Sequence, residues 1–206
     1  MKRIIFCDIP MKKDLDAMVY AGTGNINSGY SKPVVFPINA IIAETLKKND
    51  DIKVVLLRTI DKAGNSGKNC GLFMQELDTI NEDIGAKISY ETLDLEFKET
   101  KDNHEIRLKA MLDKVEENSQ IFADITFGPK PLPMILMCVL SFAEKFLNCD
   151  VKSVVYGKVS FGQDNKACSP ELFDVTSLYY LNNLTNSMVA SDGKEARKNL
   201  DEFFSL

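Results

Sequence analysis

The chain holds one histidine, His104, in 206 residues, and that scarcity removes several chemistries at once. With no second histidine and no close cysteine or histidine spacing, zinc has no ligand set. A serine, histidine and acid system lacks support too, because His104 sits in a charged stretch with no GxSxG nearby. Its expected place is the surface. The five cysteines, Cys7, Cys70, Cys138, Cys149 and Cys168, are odd in number and form no CxxC pair, which reads as reduced thiols in a cytoplasmic protein. No apolar run reaches the ~18 residues that a membrane span needs. The longest, MILMCVLSFA at 134–143, has the length of a buried helix, and the Met and Phe positions of 134–146 are expected in the core. MKRIIFCDIPMKKD runs into Asp8 and more lysines too soon for a signal peptide, so it fits a first strand.

Phosphate signatures are missing as well. GNSGKN lacks the GxxxxGK[ST] spacing, and GTGN lacks the third glycine of a dinucleotide fingerprint and opens no helix directly after a strand. Nicotinamide, flavin and ATP hydrolysis are therefore unsupported, and no cofactor is expected. A net charge of −5 leaves no concentrated basic face for duplex DNA. A small basic pocket remains compatible with it.

What is present is an ordinary globular composition, 45% apolar and 27% charged, at a length that suits one main domain. RIIFCDI (3–9) is a buried strand stopped by Pro10. A glycine- and asparagine-rich loop follows, and then FPINAIIAETLKKND is a helix with Pro37 near its start. DIKVVLLRTI is a second strand, and the polar run DKAGNSGKN (61–69) reads as a loop before the helix LFMQELDTINEDIG, closed by Gly85. KISYETLDLEF supplies a third strand. ETKDNHEIRLKAMLDKVEENS is an amphipathic helix whose positions 106, 108, 111, 112 and 115 mark the expected buried side. IFADIT, LPMILMCVLSFAEKFLNC and VKSVVYGKVSF continue as strand, helix and strand. After them ELFDVTSLYYLNNLTNSMVA gives a strand and a helix, and DGKEARKNLDEFFSL a last helix. This alternation forces mainly parallel pairing with crossover helices, an α/β Rossmann-like sheet flanked by helices. The expected division is a domain over 1–175 and, over 176–206, a C-terminal helical extension or a linker to a missing effector.

Ligands of such sheets bind beyond the carboxyl ends of the strands. Three polar, acid-poor loops fall there: the segment after the first strand, DKAGNSGKN, and TFGPKPLP. In DITFGPKPLP, Pro131 and Pro133 suit a helix start, where a missing donor costs nothing. Thr126, Gly128 and Lys130, with Pro129 between the last two, add a hydroxyl, a bare backbone and a cation beside that start. An anion held by amides and a helix dipole accounts for all three. Asp8, at the end of the first strand, either caps the next turn or joins the site.

DITFGPKPLPMILMCVLSFAEKF followed by SVVYGKV resembles the signature of the CARF domain, the CRISPR-associated Rossmann fold: a strand ending in Asp-x-Thr, a glycine and basic turn, and a long apolar helix. GTGN, Tyr30 and SKPVVF are similar to the family's first-loop pattern. The common form carries histidine or tyrosine where this chain has Phe127, and here residues 8–21 separate the first strand from GTGN. The resemblance implies a homodimer that binds a cyclic oligoadenylate, tetra- or hexa-adenylate, across its two-fold, as a sensor in type III CRISPR antiviral signalling. It implies phosphates and ribose hydroxyls held by Thr126, Gly128 and Lys130 and by loop amides at Pro10, Met11, Gly22, Thr23, Gly24 and Asn25. Adenines would enter side pockets lined by Tyr20, Phe127 and the 61–69 loop with Asn65 and Ser66. Some CARF domains cleave their ligand without metal. Thr126 and Lys130 are the candidates for that role, and an unrelated Rossmann-like nucleotide-binding regulator is a further alternative. The extension after 175 leaves no room for a typical effector and lacks the RxxxxH ribonuclease motif.

Overall fold

Alternating strand and helix segments become, in a computed structural model, a seven-stranded sheet of order β2-β7-β6-β5-β1-β3-β4. The structure describes residues 2–23, 29–161 and 167–205. The strands are β1 (Arg3–Ile9), β2 (Ala21–Thr23), β3 (Asp51–Thr59), β4 (Lys87–Leu95), β5 (Gln120–Asp124), β6 (Asp150–Phe161) and β7 (Ala167–Asp174). Between them run α1 (Pro37–Thr45), α2 (Asn65–Glu82), α3 (Lys101–Leu112) and α4 (Pro131–Phe146), and α5 (Thr176–Ser187) and α6 (Gly193–Phe204) follow. The fold is α/β and Rossmann-like. All pairings are parallel except that of β6 with β7. Two compact units divide the chain, Met1–Thr176 and Ser177–Leu206.

Strand order follows from the connections. From β1 the chain steps outward through α1 to β3 and through α2 to β4, and α3 then returns it to the opposite side of β1 for β5. The order reverses between β1 and β5, which opens a crevice at their carboxyl ends. Successive strand side chains point to opposite faces. Ile5, Cys7 and Ile9 join Phe36 and Phe73 of the α1–α2 layer in one core cluster, whereas Ile4, Phe6 and Asp8, of the other parity, are buried on the opposite face.

Several expectations need correction. The polar run at 61–69 is not a loop: α2 begins at Asn65. Gly64, at φ 71, turns the chain into the helix, and Asp61 satisfies the first free amides, so polar residues can open it. On α3 the buried positions are Arg107 and Met111, and Ile106 is 62% exposed. Arg107 turns inward because its guanidinium donates to the Glu99 carboxylate at 3.2 Å and to the Glu96 carbonyl. On α4 one face fills the core with Leu132, Ile135, Leu136, Val139, Leu140 and Ala143. Three residues expected there, Met134, Phe142 and Phe146, are instead 72, 41 and 61% exposed. The helix carries more apolar side chains than one face can bury. The long segment after β1 also contributes a short strand, β2, that pairs with β7. His104 is partly exposed and bonded to Glu99 at 2.8 Å. The five cysteines are unpaired, and among the described residues no helix is long and apolar enough to cross a membrane.

Candidate functional site

At the point of reversal two carboxyl groups, Asp8 ending β1 and Asp124 ending β5, are fully buried. Asp124 faces α1 and accepts the Ile38 amide at 3.2 Å and the Thr126 amide at 2.8 Å. Burial raises its pKa to about 6 against the pull of those bonds. Asp8 is different. Neither of its carboxyl oxygens has a hydrogen-bond partner among the described residues, and burial, then the nearby Asp124, pushes its pKa well above the usual carboxylate range. Gly128 roofs it. That residue has φ 83, which favours glycine, and a Cβ there would stand 3.2 Å from the Asp8 Oδ2, a tight contact.

Thr126 is bonded within the protein. Its hydroxyl accepts the Gly157 amide at 2.8 Å, which joins the end of β5 to β6. Gly157 in turn lets α1 approach, since a Cβ at that position would lie 2.4 Å from the Pro37 Cγ. Phe127 packs edge-on to Phe36 at 6.1 Å between ring centroids. Lys130 is the exposed N-cap of α4, and Pro129 is buried. Pro129, Pro131 and Pro133 have no N–H, and the Leu132 amide is taken by the Pro129 carbonyl at 2.9 Å. The turn therefore offers an anion only the amides of Phe127, Gly128 and Lys130, together with the lysine charge.

Beside this turn is a cavity of about 200 Å³ whose walls include Asp16, Tyr20, Val35, Thr126, Phe127 and Gly157. Tyr20 is 4% exposed. Burial, with Asp124 and Glu76 adding to it, pushes its pKa up to about 12, so the phenol stays protonated. Apolar walls with a few polar atoms suit a flat, partly polar ring.

On the β3 side of the same edge the polar groups are closed on one another. Asp61 accepts the amides of Ser66 at 2.7 Å and Asn65 at 3.1 Å, and these bonds hold its pKa down to about 2. The Asn65 amide group donates to the Met11 carbonyl, and that of Asn69 to the carbonyls of Pro10 and Lys12. Glu76 of α2 accepts the amides of Val35 at 2.6 Å and Phe36 at 3.2 Å, capping α1 from outside it. Protein carboxylates thus occupy the N-termini of both α1 and α2.

Of the residues singled out in the sequence, Tyr20, Thr126 and Phe127 share the cavity, and Asp8 lies under Gly128 beside it. Pro10, Met11, Asn65 and Ser66 gather in the closed cluster outside the cavity lining. Gly22 and Thr23 form part of β2, paired with Leu172 and Phe173, and Gly24 and Asn25 lie outside the described residues. Sequence reasoning missed Asp16, Asn69, Glu76 and Gly157. Only Gly157 carried a signal, a lone glycine inside a strand, which marks close backbone approach. Among the described residues no group of three or more histidine, cysteine or acidic side chains could hold a metal ion. No protein-family model matches the chain, and no curated protein matches it.

Proposed function

We propose that this chain is a sensor domain of the CARF type that binds a cyclic oligoadenylate between two copies of itself. The observation that carries the reading is the cavity at the carboxyl edge. The segments that carry the resemblance, Asp124 to Gly128 and the glycine of YGKV, meet there through the Thr126–Gly157 bond, and Tyr20 and Phe127 supply walls for a base. Phosphates of the ring are met by Lys130 and the amides of Phe127 and Gly128, because the helix ends at α1 and α2 are closed. A few symmetry-related lysines around clustered phosphates outweigh an acidic net charge at that range.

The outer face of α4 supports the second copy. Met134, Cys138, Phe142 and Phe146 recur every fourth residue on an exposed, apolar stripe. The stripe is centred between Cys138 and Phe142, so an antiparallel two-fold there sets Cys138 against Phe142 of the partner and Met134 against Phe146 of the partner.

Calorimetry with cyclic tetra- and hexa-adenylate tests the reading. It requires that one ring binds with Kd below ~10 µM at one ring per two chains, and lack of binding by either ring refutes it. Chromatography of the incubated ligand then separates a sensor, which leaves the ring intact, from a ring nuclease. A sensor is favoured because the Thr126 hydroxyl is already held by Gly157.

A further inference from the structure

We propose, resting on the reading that the cavity receives a nucleotide base, that Asp16 selects the base by accepting a hydrogen bond from an N–H group on the ring's edge. Most of the cavity wall is apolar, from Leu15, Met18, Val35, Phe127 and Val159. Thr126 also lines it, with its hydroxyl committed to the Gly157 amide. The Tyr20 hydroxyl is another matter. The residue is buried, lines the cavity, and has no hydrogen-bond partner among the described residues. The hydroxyl is therefore available to a guest, and the cavity is where a partner would stand.

Tyr20 and Asp16 differ in what they demand of that partner. A phenol both donates and accepts, so Tyr20 fits a ring nitrogen or a ring N–H equally well. A carboxylate only accepts. Asp16 is exposed at the cavity mouth and has no hydrogen bond or ion pair among the described residues, so its acceptor capacity is available to a guest. Adenine answers it with its exocyclic amine, and guanine with its amine and ring N–H. A purine without the amine presents a C–H there, flanked by ring-nitrogen lone pairs, and so gives the carboxylate no N–H to accept. Asp16 is exposed, so water can replace the lost bond, and the discrimination expected is that of one charge-assisted hydrogen bond.

Protein-observed NMR titration of the full chain with adenosine and with purine riboside, which differ only in the 6-amino group, tests this. Wild type is expected to bind adenosine at least about tenfold more tightly, and Asp16→Ala to bring the two within about threefold, chiefly by losing affinity for adenosine. Equal affinities in wild type, an unchanged preference in Asp16→Ala, or no binding of either nucleoside overturns the proposal. Asp16 is exposed, so the variant's own spectrum reports whether its fold is intact. Adenosine selectivity that depends on Asp16, in a chain that binds neither cyclic tetra-adenylate nor cyclic hexa-adenylate, discards the ring-sensor reading and upholds the role of Asp16.

Discussion

The carboxyl edge of the sheet has two halves that look alike in sequence and differ in how their polar groups are satisfied. On the β3 side, Asp61, Asn65, Asn69 and Glu76 bond to nearby amides and carbonyls, fastening the loop after β1 and capping α1 and α2. On the β5 side, among the described residues, the buried Asp8 carboxyl has no hydrogen-bond partner and the Tyr20 hydroxyl at the cavity has none, and Lys130 is exposed at the start of a helix whose first turn is poor in donors. Glycine and asparagine in a loop do not distinguish the halves. What distinguishes them is whether a carboxylate of the protein already holds the place an anion would take. Incomplete satisfaction is expensive, and a ligand is one way to complete it.

The comparison is broken most severely at Gly157. An alanine there puts its Cβ against the Pro37 ring, which cannot swing aside, so α1 has to shift off β6. Gly157→Ala is expected to lower stability by about 2–3 kcal/mol in urea unfolding, and to weaken ligand binding because Val35 and Thr126, which line the cavity, lie beside the displaced segment. Asn69→Ala strikes the closed half. It strips two carbonyls, Pro10 and Lys12, of their donor, which costs ~2 kcal/mol by the same assay. Affinity for the ring is expected to fall by no more than about threefold, since of the residues that Asn69 fastens only Lys12 lines the cavity.

A smaller effect separates the halves by pH. A carboxyl whose folded pKa lies above its unfolded value leaves stability intact below pH ~4 and removes it as pH rises toward the folded value. Asp8 and Asp124 both behave so, with Asp124 titrating near 6. Asp61 behaves in the opposite sense, adding stability above its unfolded value and losing it as pH falls toward about 2. Asp8→Asn is therefore expected to flatten the decline in stability above pH ~4 in a pH series of urea titrations. It leaves the acid-side loss from Asp61 unchanged. An unaltered slope in Asp8→Asn would show that Asp8 ionises freely in the folded chain.

The architecture was largely legible because it rests on periodicity: apolar strands such as IIFCDI and VVLL, separated by helical segments, leave little choice but a parallel sheet. DKAGNSGKN was misread because its helix start depends on Asp61, a residue outside the helix that contributes nothing to hydrophobic periodicity. Met134, Phe142 and Phe146 were misread because composition cannot tell which of two apolar faces the sheet covers. At the candidate site, Thr126, Phe127 and Tyr20 were found through motif and residue type. Asp16 and Glu76 were missed because their importance depends on what the fold brings near them, the cavity for one and the end of α1 for the other.

The most direct test of the account is a ¹⁵N chemical-shift map of the full chain titrated with whichever of cyclic tetra-adenylate and cyclic hexa-adenylate binds. The account predicts that the largest shifts fall on Tyr20, Phe127, Gly128, Lys130 and Gly157, while Asn65, Ser66 and Asn69 stay nearly still. Shifts centred on Asn65, Ser66 and the end of α2, with the cavity residues unmoved, would contradict it.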